Sequence, residues 1–223
     1  MIDGFVFDMD GVLYDTERLC NIYFEQAGKE FGIDSERISY LMLKCVGLNS
    51  IATKEAFLDE LGQDFNYDEF YKLWSGKVKN HIAEQGLPVK PGAYMLLEYL
   101  KTNRYPLALA TSTSSSSTMS HLERSKMKEY FPVVVTGDMV ARCKPDKEPY
   151  ETACKLLNIN PLRSVAIEDS PNGLKSAKAA GLKTIMVEDQ IPYTDDLKPY
   201  VDIKLNSLTD VLEIMRKGEL KLV

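Results

Sequence analysis

The chain has 223 residues, of which 44% are hydrophobic and 27% charged, and its formal net charge is −6. A negative balance argues against nucleic acid as a partner, because affinity for a phosphate backbone requires a basic face, and no apolar stretch approaches the ~20 residues that span a membrane. Four cysteines without a CxxC pair and two distant histidines argue against zinc, and free cysteines without a signal peptide predict a cytoplasmic protein.

The first predicted element is a buried strand over residues 2–8, and two carboxylates, Asp8 and Asp10, lie at its end, followed by Gly11. Open α/β sheets bind their ligands at the carboxyl ends of strands. A soluble protein rarely places two acids there unless an ion or a reaction uses them. The simpler alternative is a pair of turn or capping residues.

The next stretch, residues 16–87, contains helix signals only. The predicted helices cover residues 17–31, 36–45, 51–61 and 68–84. In the last of them Phe70, Trp74 and Val78 recur at helical spacing, which predicts one apolar stripe and a core position for Trp74. A small helical domain is therefore inserted after the first strand, and its two short joints suit a lid that opens and closes as one unit.

The rest of the chain alternates between strands and helices. The predicted strands are 105–111, 132–136, 163–168, 183–187 and 201–205, and the helices are 93–102, 116–127, 147–157, 172–180 and 208–217. This order predicts an α/β fold, a doubly wound, mostly parallel, Rossmann-like sheet with helices on both faces. The catalytic core would comprise residues 1–15 and 88–223, and the helical cap domain residues 16–87.

Further polar residues follow later strands. Thr111 and Ser112 end the second strand, Lys144 precedes a proline in a loop before a helix, and Glu168 and Asp169 follow the strand 163–168. Taken singly, these are a strand-end hydroxyl, a surface turn and acids at a helix start, where the helix dipole favours them. Parallel strands open on one edge, however, so we expect all of them to meet Asp8 and Asp10 there.

The chemistry of such a set is restricted. Crowded carboxylates raise one another's pKa unless a cation neutralises them, and oxygen ligands without histidine favour Mg²⁺. A lysine and a hydroxyl, Lys144 and Thr111, suit a phosphoryl group, which carries charge on its oxygens. No Ser–His or Cys–His pair is evident, so the natural nucleophile is a carboxylate, as in enzymes that form an aspartyl-phosphate.

These residues resemble the haloacid dehalogenase superfamily of phosphotransferases over the whole chain. Residues 8–17 resemble its first motif, Thr111 the second, Lys144-Pro145 the third and residues 168–173 the fourth. The helical insert resembles the small cap of the β-phosphoglucomutase-like and sugar-phosphatase branch. An aspartate at position 8 with a magnesium-type acid cluster fits phosphoryl transfer better than cleavage of a carbon–halogen bond.

The resemblance implies a role for each residue. Asp8 would attack phosphorus, and Asp10 would protonate the leaving oxygen and then activate water. Mg²⁺ would be held by Asp8, the backbone carbonyl of Asp10 and Asp169, and Glu168 would act through a bound water or from behind these ligands. The phosphoryl group would be held by Thr111 and Lys144, with Ser112 as a further substrate-binding candidate.

Departures from the mutase pattern favour a phosphatase. Cys20 stands where the resembled β-phosphoglucomutases carry a histidine, and the segment 47–50 lacks the arginine that binds a substrate's distal phosphate. A substrate with two phosphates would lose its clamp there. Lys77 does match a cap lysine of that branch and is a candidate for substrate binding, although an exposed helix lysine is the simpler interpretation.

The sequence therefore predicts a monomeric, Mg²⁺-dependent phosphatase that acts on a small phosphorylated metabolite such as a sugar phosphate. The alternative is β-phosphoglucomutase or a related intramolecular phosphotransferase. A catalytically inactive binding protein on the same fold is a third hypothesis, against which the intact set of Asp8, Asp10, Lys144 and Asp169 argues.

Overall fold

The computed structural model describes residues 2–45 and 50–221, and its centre is a sheet of six strands. The strands are β1 (Gly4–Phe7), β2 (Leu107–Ala110), β3 (Val133–Val135), β4 (Ser164–Glu168), β5 (Lys183–Val187) and β6 (Ile203–Leu205). Their order is β3-β2-β1-β4-β5-β6, and all five pairings are parallel. The predicted doubly wound parallel sheet is confirmed, with the order of the Rossmann fold.

The central strand explains why helices cover both faces. All four residues of β1 are buried, as expected for a parallel strand that packs on both sides. Phe5 and Phe7 belong to one apolar cluster, and Val6 belongs to a second cluster on the opposite face. Because side chains alternate along a strand, a continuous apolar run feeds both clusters.

Nine α-helices lie within the described residues. They are α1 (Thr16–Glu30), α2 (Ser35–Cys45), α3 (Ser50–Leu61), α4 (Tyr67–Gln85), α5 (Ala93–Thr102), α6 (Ser115–Arg124), α7 (Glu148–Leu157), α8 (Pro171–Ala179) and α9 (Leu208–Arg216). Helix α6 ends before the predicted end at 127, because Lys126 adopts a left-handed backbone with φ 57° and a short 3-10 helix follows at Lys128–Tyr130. None of the helices in the described part of the chain is long and apolar enough to cross a membrane.

The chain divides into two compact units, one comprising Met1–Asp15 with Leu87–Val223 and the other Thr16–Gly86. The first unit contains the sheet and the second contains α1 to α4. The second unit has an aromatic core of its own, in which the Phe24 ring lies 5.3 to 5.5 Å from the rings of Phe57, Phe70 and Trp74. Trp74 thus packs in a helical core as predicted, and its indole N–H donates to the Cys20 carbonyl at 2.9 Å.

Within the first unit, the two segments that lead to and from the helical unit lie side by side. The Asp15 N–H donates to the Pro88 carbonyl at 2.8 Å, and the Lys90 N–H donates to the Leu13 carbonyl at 2.9 Å. The Lys90 ammonium also lies 3.5 Å from the Asp15 carboxylate and pairs with Asp189. The two joints are therefore held to each other by backbone and ionic contacts, and Lys90 also pairs with a residue that follows β5.

Candidate active site

The strand register brings the predicted residues to one edge of the sheet. Phe7 pairs with Leu109 on β2 and with Ile167 on β4, so Asp8 extends beyond β1 beside the ends of both neighbours. The Asp8 N–H donates to the Ile167 carbonyl at 3.0 Å, and the Thr111 N–H donates to the Val135 carbonyl at 2.9 Å. The reversal of strand order at β1 places this edge at the topological switch point, where such sheets bind ligands.

Lys144 joins two of the carboxylates. Its ammonium lies 2.6 Å from Asp8 Oδ1 and 2.5 Å from Glu168 Oε1, and only 6% of its side chain is exposed. It also lies 5.1 Å from the centre of the Tyr150 ring, within the range of a cation–π contact. The loop before α7 thus places a buried cation at the strand ends.

Glu168 is fully occupied by protein donors. Its Oε1 accepts hydrogen bonds from Lys144 and from the Tyr150 hydroxyl at 2.8 Å. Its Oε2 accepts from the Asp169 N–H and from the N–H and hydroxyl of Ser170, at 3.0 to 3.1 Å. Five donors exceed the roughly four lone-pair sites of a carboxylate, so Glu168 anchors Lys144 and the start of α8.

The two carboxylates beside Lys144 differ in their acidity. Burial raises the pKa of Asp8 to about 8, although Lys144 acts in the opposite direction. Burial also raises the pKa of Glu168. The attraction of Lys144 and the hydrogen bonds to the Glu168 side chain outweigh this effect, so the pKa of Glu168 is lowered. Burial alone would lower the pKa of Lys144, but the attraction of Asp8 and Glu168 exceeds that effect and raises it. Asp8 is therefore the carboxylate that needs a further positive charge to stay ionised at neutral pH.

A carboxylate cluster at this edge can hold a divalent cation. Oxygens of Asp8, Glu168 and Asp169 lie within 4.8 Å of one another, and all three residues are buried. Gly11 leaves room for the cluster, because its φ of +80° suits glycine and a Cβ there would lie 2.2 Å from Asp169 Oδ2. An oxygen-only donor set fits a hard ion such as Mg²⁺ or Ca²⁺, and such an ion would supply the charge that Asp8 lacks.

Asp10 contacts a residue that sequence reasoning missed. The Thr113 hydroxyl donates to Asp10 Oδ2 at 2.7 Å, and the Thr113 N–H donates to Thr111 Oγ1 at 3.1 Å. Thr113 therefore connects the second aspartate to the predicted phosphoryl-binding threonine. In the sequence, the one indication of a role for Thr113 is its position just after the end of β2. The surrounding run of hydroxyl residues is equally typical of an ordinary loop.

The loop that carries Ser112 and Thr113 is held in place by contacts with Gly137 and Asp138. The Ser112 side chain is exposed. Its carbonyl oxygen packs closely on Gly137, because a Cβ added to Gly137 would lie 2.3 Å from that oxygen. Asp138 accepts from the N–H and the hydroxyl of Ser115 at 3.0 and 2.7 Å. Hydrogen bonds from Thr136 and Ser115 lower the pKa of Asp138 to about 2, so this anchor is charged at neutral pH.

Two other expectations concern the helical unit. Lys77 lies on α4 within that unit, where its ammonium pairs with Glu30 at 2.9 Å, and the predicted role in substrate binding stays a prediction. The missing distal-phosphate arginine is a prediction about Gly47 and the residues after it, and residues 46–49 lie outside the described residues.

Tyr150 is a second residue that sequence reasoning missed. It follows the Lys144-Pro145 motif on α7, and its hydroxyl and ring contact Glu168 and Lys144 respectively. A tyrosine on an amphipathic helix is indistinguishable in sequence from a core residue, and no spacing rule marks it as a partner of Glu168.

A family model supplies the class of protein. The model for haloacid dehalogenase-like hydrolases matches residues 5–187. This chain belongs to that family and is an enzyme of the hydrolase class, which confirms the resemblance inferred from its motifs.

Several relatives are similar over most of their length. The phosphorylated carbohydrates phosphatase of Thermotoga maritima is 35% identical over 82% of this chain and 84% of its own. A solved structure from Thermotoga maritima, named as a candidate β-phosphoglucomutase, superposes with a TM-score of 0.82 at 29% identity over 97% of this chain and 99% of that one. CbbY from Rhodobacter sphaeroides, solved in complex with xylulose 1,5-bisphosphate, has a TM-score of 0.72 at 27% identity over 94% and 96% of the two chains.

Proposed function

We propose that this enzyme is a Mg²⁺-dependent phosphatase that hydrolyses a small phosphorylated metabolite, a sugar phosphate, through an aspartyl-phosphate on Asp8. The observation that carries the proposal is the position of one buried ammonium, Lys144, between Asp8 and Glu168, with Asp169 in the same carboxylate cluster. A cation beside a carboxylate nucleophile is the arrangement that phosphoryl transfer requires, because it stabilises charge on the equatorial oxygens.

The chemistry divides into two transfers. In the first, an Asp8 oxygen attacks phosphorus, the ester P–O bond breaks, and Asp10 donates its proton to the leaving oxygen. In the second, Asp10 removes a proton from water, the water oxygen bonds to phosphorus, and the Asp8 carboxylate leaves. Lys144 and Thr111 hold the phosphoryl oxygens in both steps. The products are an alcohol and inorganic phosphate, so protons and oxygens balance.

We assign the metal to Asp8, Asp169 and the backbone carbonyl of Asp10. Glu168 supports them from behind, because its oxygens already accept five hydrogen bonds from the protein. When bound, Mg²⁺ supplies Lewis-acid stabilisation of the phosphoryl group and lowers the pKa of Asp8. Asp8 is then ionised and ready to attack at neutral pH.

The substrate class rests on the relatives and on the sequence of the helical unit. The Thermotoga maritima relative is named a phosphatase of phosphorylated carbohydrates, and this chain has cysteine at position 20 where the resembled mutases carry histidine. Intramolecular phosphoryl transfer is the second candidate, which the likeness to a structure named for β-phosphoglucomutase favours. We further propose a monomer that acts in the cytoplasm.

The test is phosphate release from a panel of hexose and pentose phosphates, with Mg²⁺ and with EDTA. We expect Mg²⁺-dependent release from at least one sugar phosphate, and loss of turnover in Asp8→Asn. Asp3→Asn is the matched control, because Asp3 precedes the opposite end of the same strand and pairs with Arg163. Conversion of glucose 1-phosphate to glucose 6-phosphate without phosphate release from any compound would show a mutase instead.

A further inference from the structure

The hydroxyl of Thr113 donates a hydrogen bond to the second aspartate, with 2.7 Å between Thr113 Oγ1 and Asp10 Oδ2. The contact is partly buried, so it is shielded in part from water. A donor–acceptor distance of 2.7 Å is typical of a well-formed O–H···O hydrogen bond. This contact can therefore set the orientation of the Asp10 side chain.

Thr113 is itself held in place by the loop after β2. Its N–H donates to Thr111 Oγ1 at 3.1 Å, and its carbonyl accepts from the Gly137 N–H at 3.0 Å. Two residues further on, Ser115 is anchored by the Asp138 carboxylate. The hydroxyl thus projects from a backbone fixed on both sides, which is the rigidity expected of a residue that orients a reacting group.

We propose that Thr113 is a positioning residue that orients Asp10 for proton transfer, an inference that rests on the proposed phosphatase function. Its hydroxyl holds Oδ2 in place, and the carboxyl held in this way delivers a proton in the first transfer and collects one in the second. In the first transfer that proton moves to the leaving oxygen as the ester bond breaks. In the second it is returned by the attacking water, and Thr113 keeps its own proton throughout.

The role predicts that the effect of losing the hydroxyl depends on the leaving group. An alkoxide is a poor leaving group and needs the Asp10 proton, whereas 4-nitrophenolate leaves readily without it. The parameter kcat/KM reports the steps up to transfer onto Asp8. It should therefore fall steeply for alkyl phosphates in Thr113→Val and change little for 4-nitrophenyl phosphate.

The experiment compares kcat/KM for a series of phosphate monoesters, from 4-nitrophenyl through phenyl to alkyl and sugar phosphates. For Thr113→Val we expect a loss of about 10²-fold with alkyl phosphates, the lower end of what general acid catalysis contributes, and a loss of less than about threefold with 4-nitrophenyl phosphate. Thr113→Ser keeps the hydroxyl and should restore the wild-type dependence on the leaving group.

A matched control comes from the following helix. Thr118 is fully buried on α6, and its hydroxyl has no hydrogen-bond partner among the described residues. Thr118→Val makes the same exchange of hydroxyl for methyl and should leave the whole series unchanged. If Thr113→Val does not fold, Thr113→Ala replaces it in the same experiment, because this change only removes atoms.

The possible results distinguish a failure of the role inferred for Thr113 from a failure of the proposed phosphatase function. An equal loss for every ester would show that Thr113 acts on the fold or on phosphoryl binding, and an unchanged series would show that the contact has no role; either result overturns the inference while the phosphatase stands. A wild-type enzyme that releases phosphate from none of the esters would instead overturn the proposed function.

Discussion

Lys144 shows most clearly how one residue sets the electrostatics of the site. Its buried ammonium contacts the carboxylates of Asp8 and Glu168, which would otherwise repel each other in a medium of low dielectric. When Asp8 is ionised, one cation shared between two anions leaves a net negative charge beside Asp169. The site is therefore balanced only when a further cation joins it, which is the condition under which we expect it to work.

This balance predicts the behaviour of Lys144→Met. Removal of one partner from a buried ion pair costs about 3–5 kcal/mol, because the remaining charge has no compensation. We expect a loss of that order in the free energy of unfolding measured with urea at neutral pH in EDTA, and partial recovery in Mg²⁺. The control is Lys147→Met, because Lys147 is exposed and pairs with Glu151 on the surface; it should change the free energy by less than about 0.5 kcal/mol.

The pH dependence of the same variant has a definite sign. The Asp8 carboxyl of the folded wild type holds its proton up to a pKa of about 8, and without Lys144 this folded pKa lies even further above the unfolded value. The Asp8 contribution to the destabilisation should therefore be constant below about pH 8 and grow as the pH rises above it. A loss of stability that did not change with pH would contradict the electrostatic account.

Some residues of the site could be predicted from the sequence and others could not. Asp8, Thr111, Lys144 and Asp169 could be placed because each follows or precedes a recognisable element, and parallel strands fix where their ends lie. The importance of Thr113 and Tyr150 lies instead in single hydrogen bonds, to Asp10 and Glu168 respectively. Such contacts depend on loop geometry and on the packing of α7, neither of which leaves a periodic signal.

At the scale of elements, the start of α8 holds the acidic end of β4 in place. Ser170 caps the helix by accepting from the Gly173 N–H at 3.1 Å, and its own hydroxyl donates to Glu168. Gly173 lies directly over the same carboxylate, where a Cβ would approach Glu168 Oε1 to 1.7 Å. A strand end and a helix start are thus packed too closely for any side chain between them.

Two glycines in helices therefore predict opposite results. Gly173→Ala must displace Glu168 or the helix, and we expect a loss of about 1–3 kcal/mol in the free energy of unfolding, as for other overpacked sites. Gly76 lies inside α4, where a Cβ would meet none of the described residues within 4 Å, so Gly76→Ala should gain about 0.5–1 kcal/mol from helix propensity. Urea unfolding measures both, and a Gly173→Ala protein as stable as the wild type would contradict the packing argument.

Element positions could be predicted well where the pattern was periodic. The apolar stripe that includes Phe70 and Trp74 predicted α4, and the short apolar runs predicted the strands, because burial on both faces leaves few polar positions. The end of α6 was the exception. The sequence after this helix contains no proline or glycine before Pro132, yet the helix ends at Arg124 because the backbone turns left-handed at Lys126.

At the scale of the whole molecule, the order of the strands explains why distant residues act together. Strand β1 is central, its neighbours β2 and β4 come much later in the chain, and their carboxyl ends open beside Asp8. The chain leaves the sheet after Asp15 to form the helical unit and returns at Leu87. We expect that unit to act as the cap that selects the substrate, with Lys77 as a candidate contact.

The proposed mechanism requires that Asp8 becomes phosphorylated during turnover. Enzyme is quenched in acid while it hydrolyses a sugar phosphate in Mg²⁺, and borohydride then reduces an acyl phosphate on aspartate to homoserine, which peptide mass spectrometry locates. The account predicts homoserine at position 8, formed only when substrate is present. Turnover without any such product, or with the product at another aspartate, would contradict it.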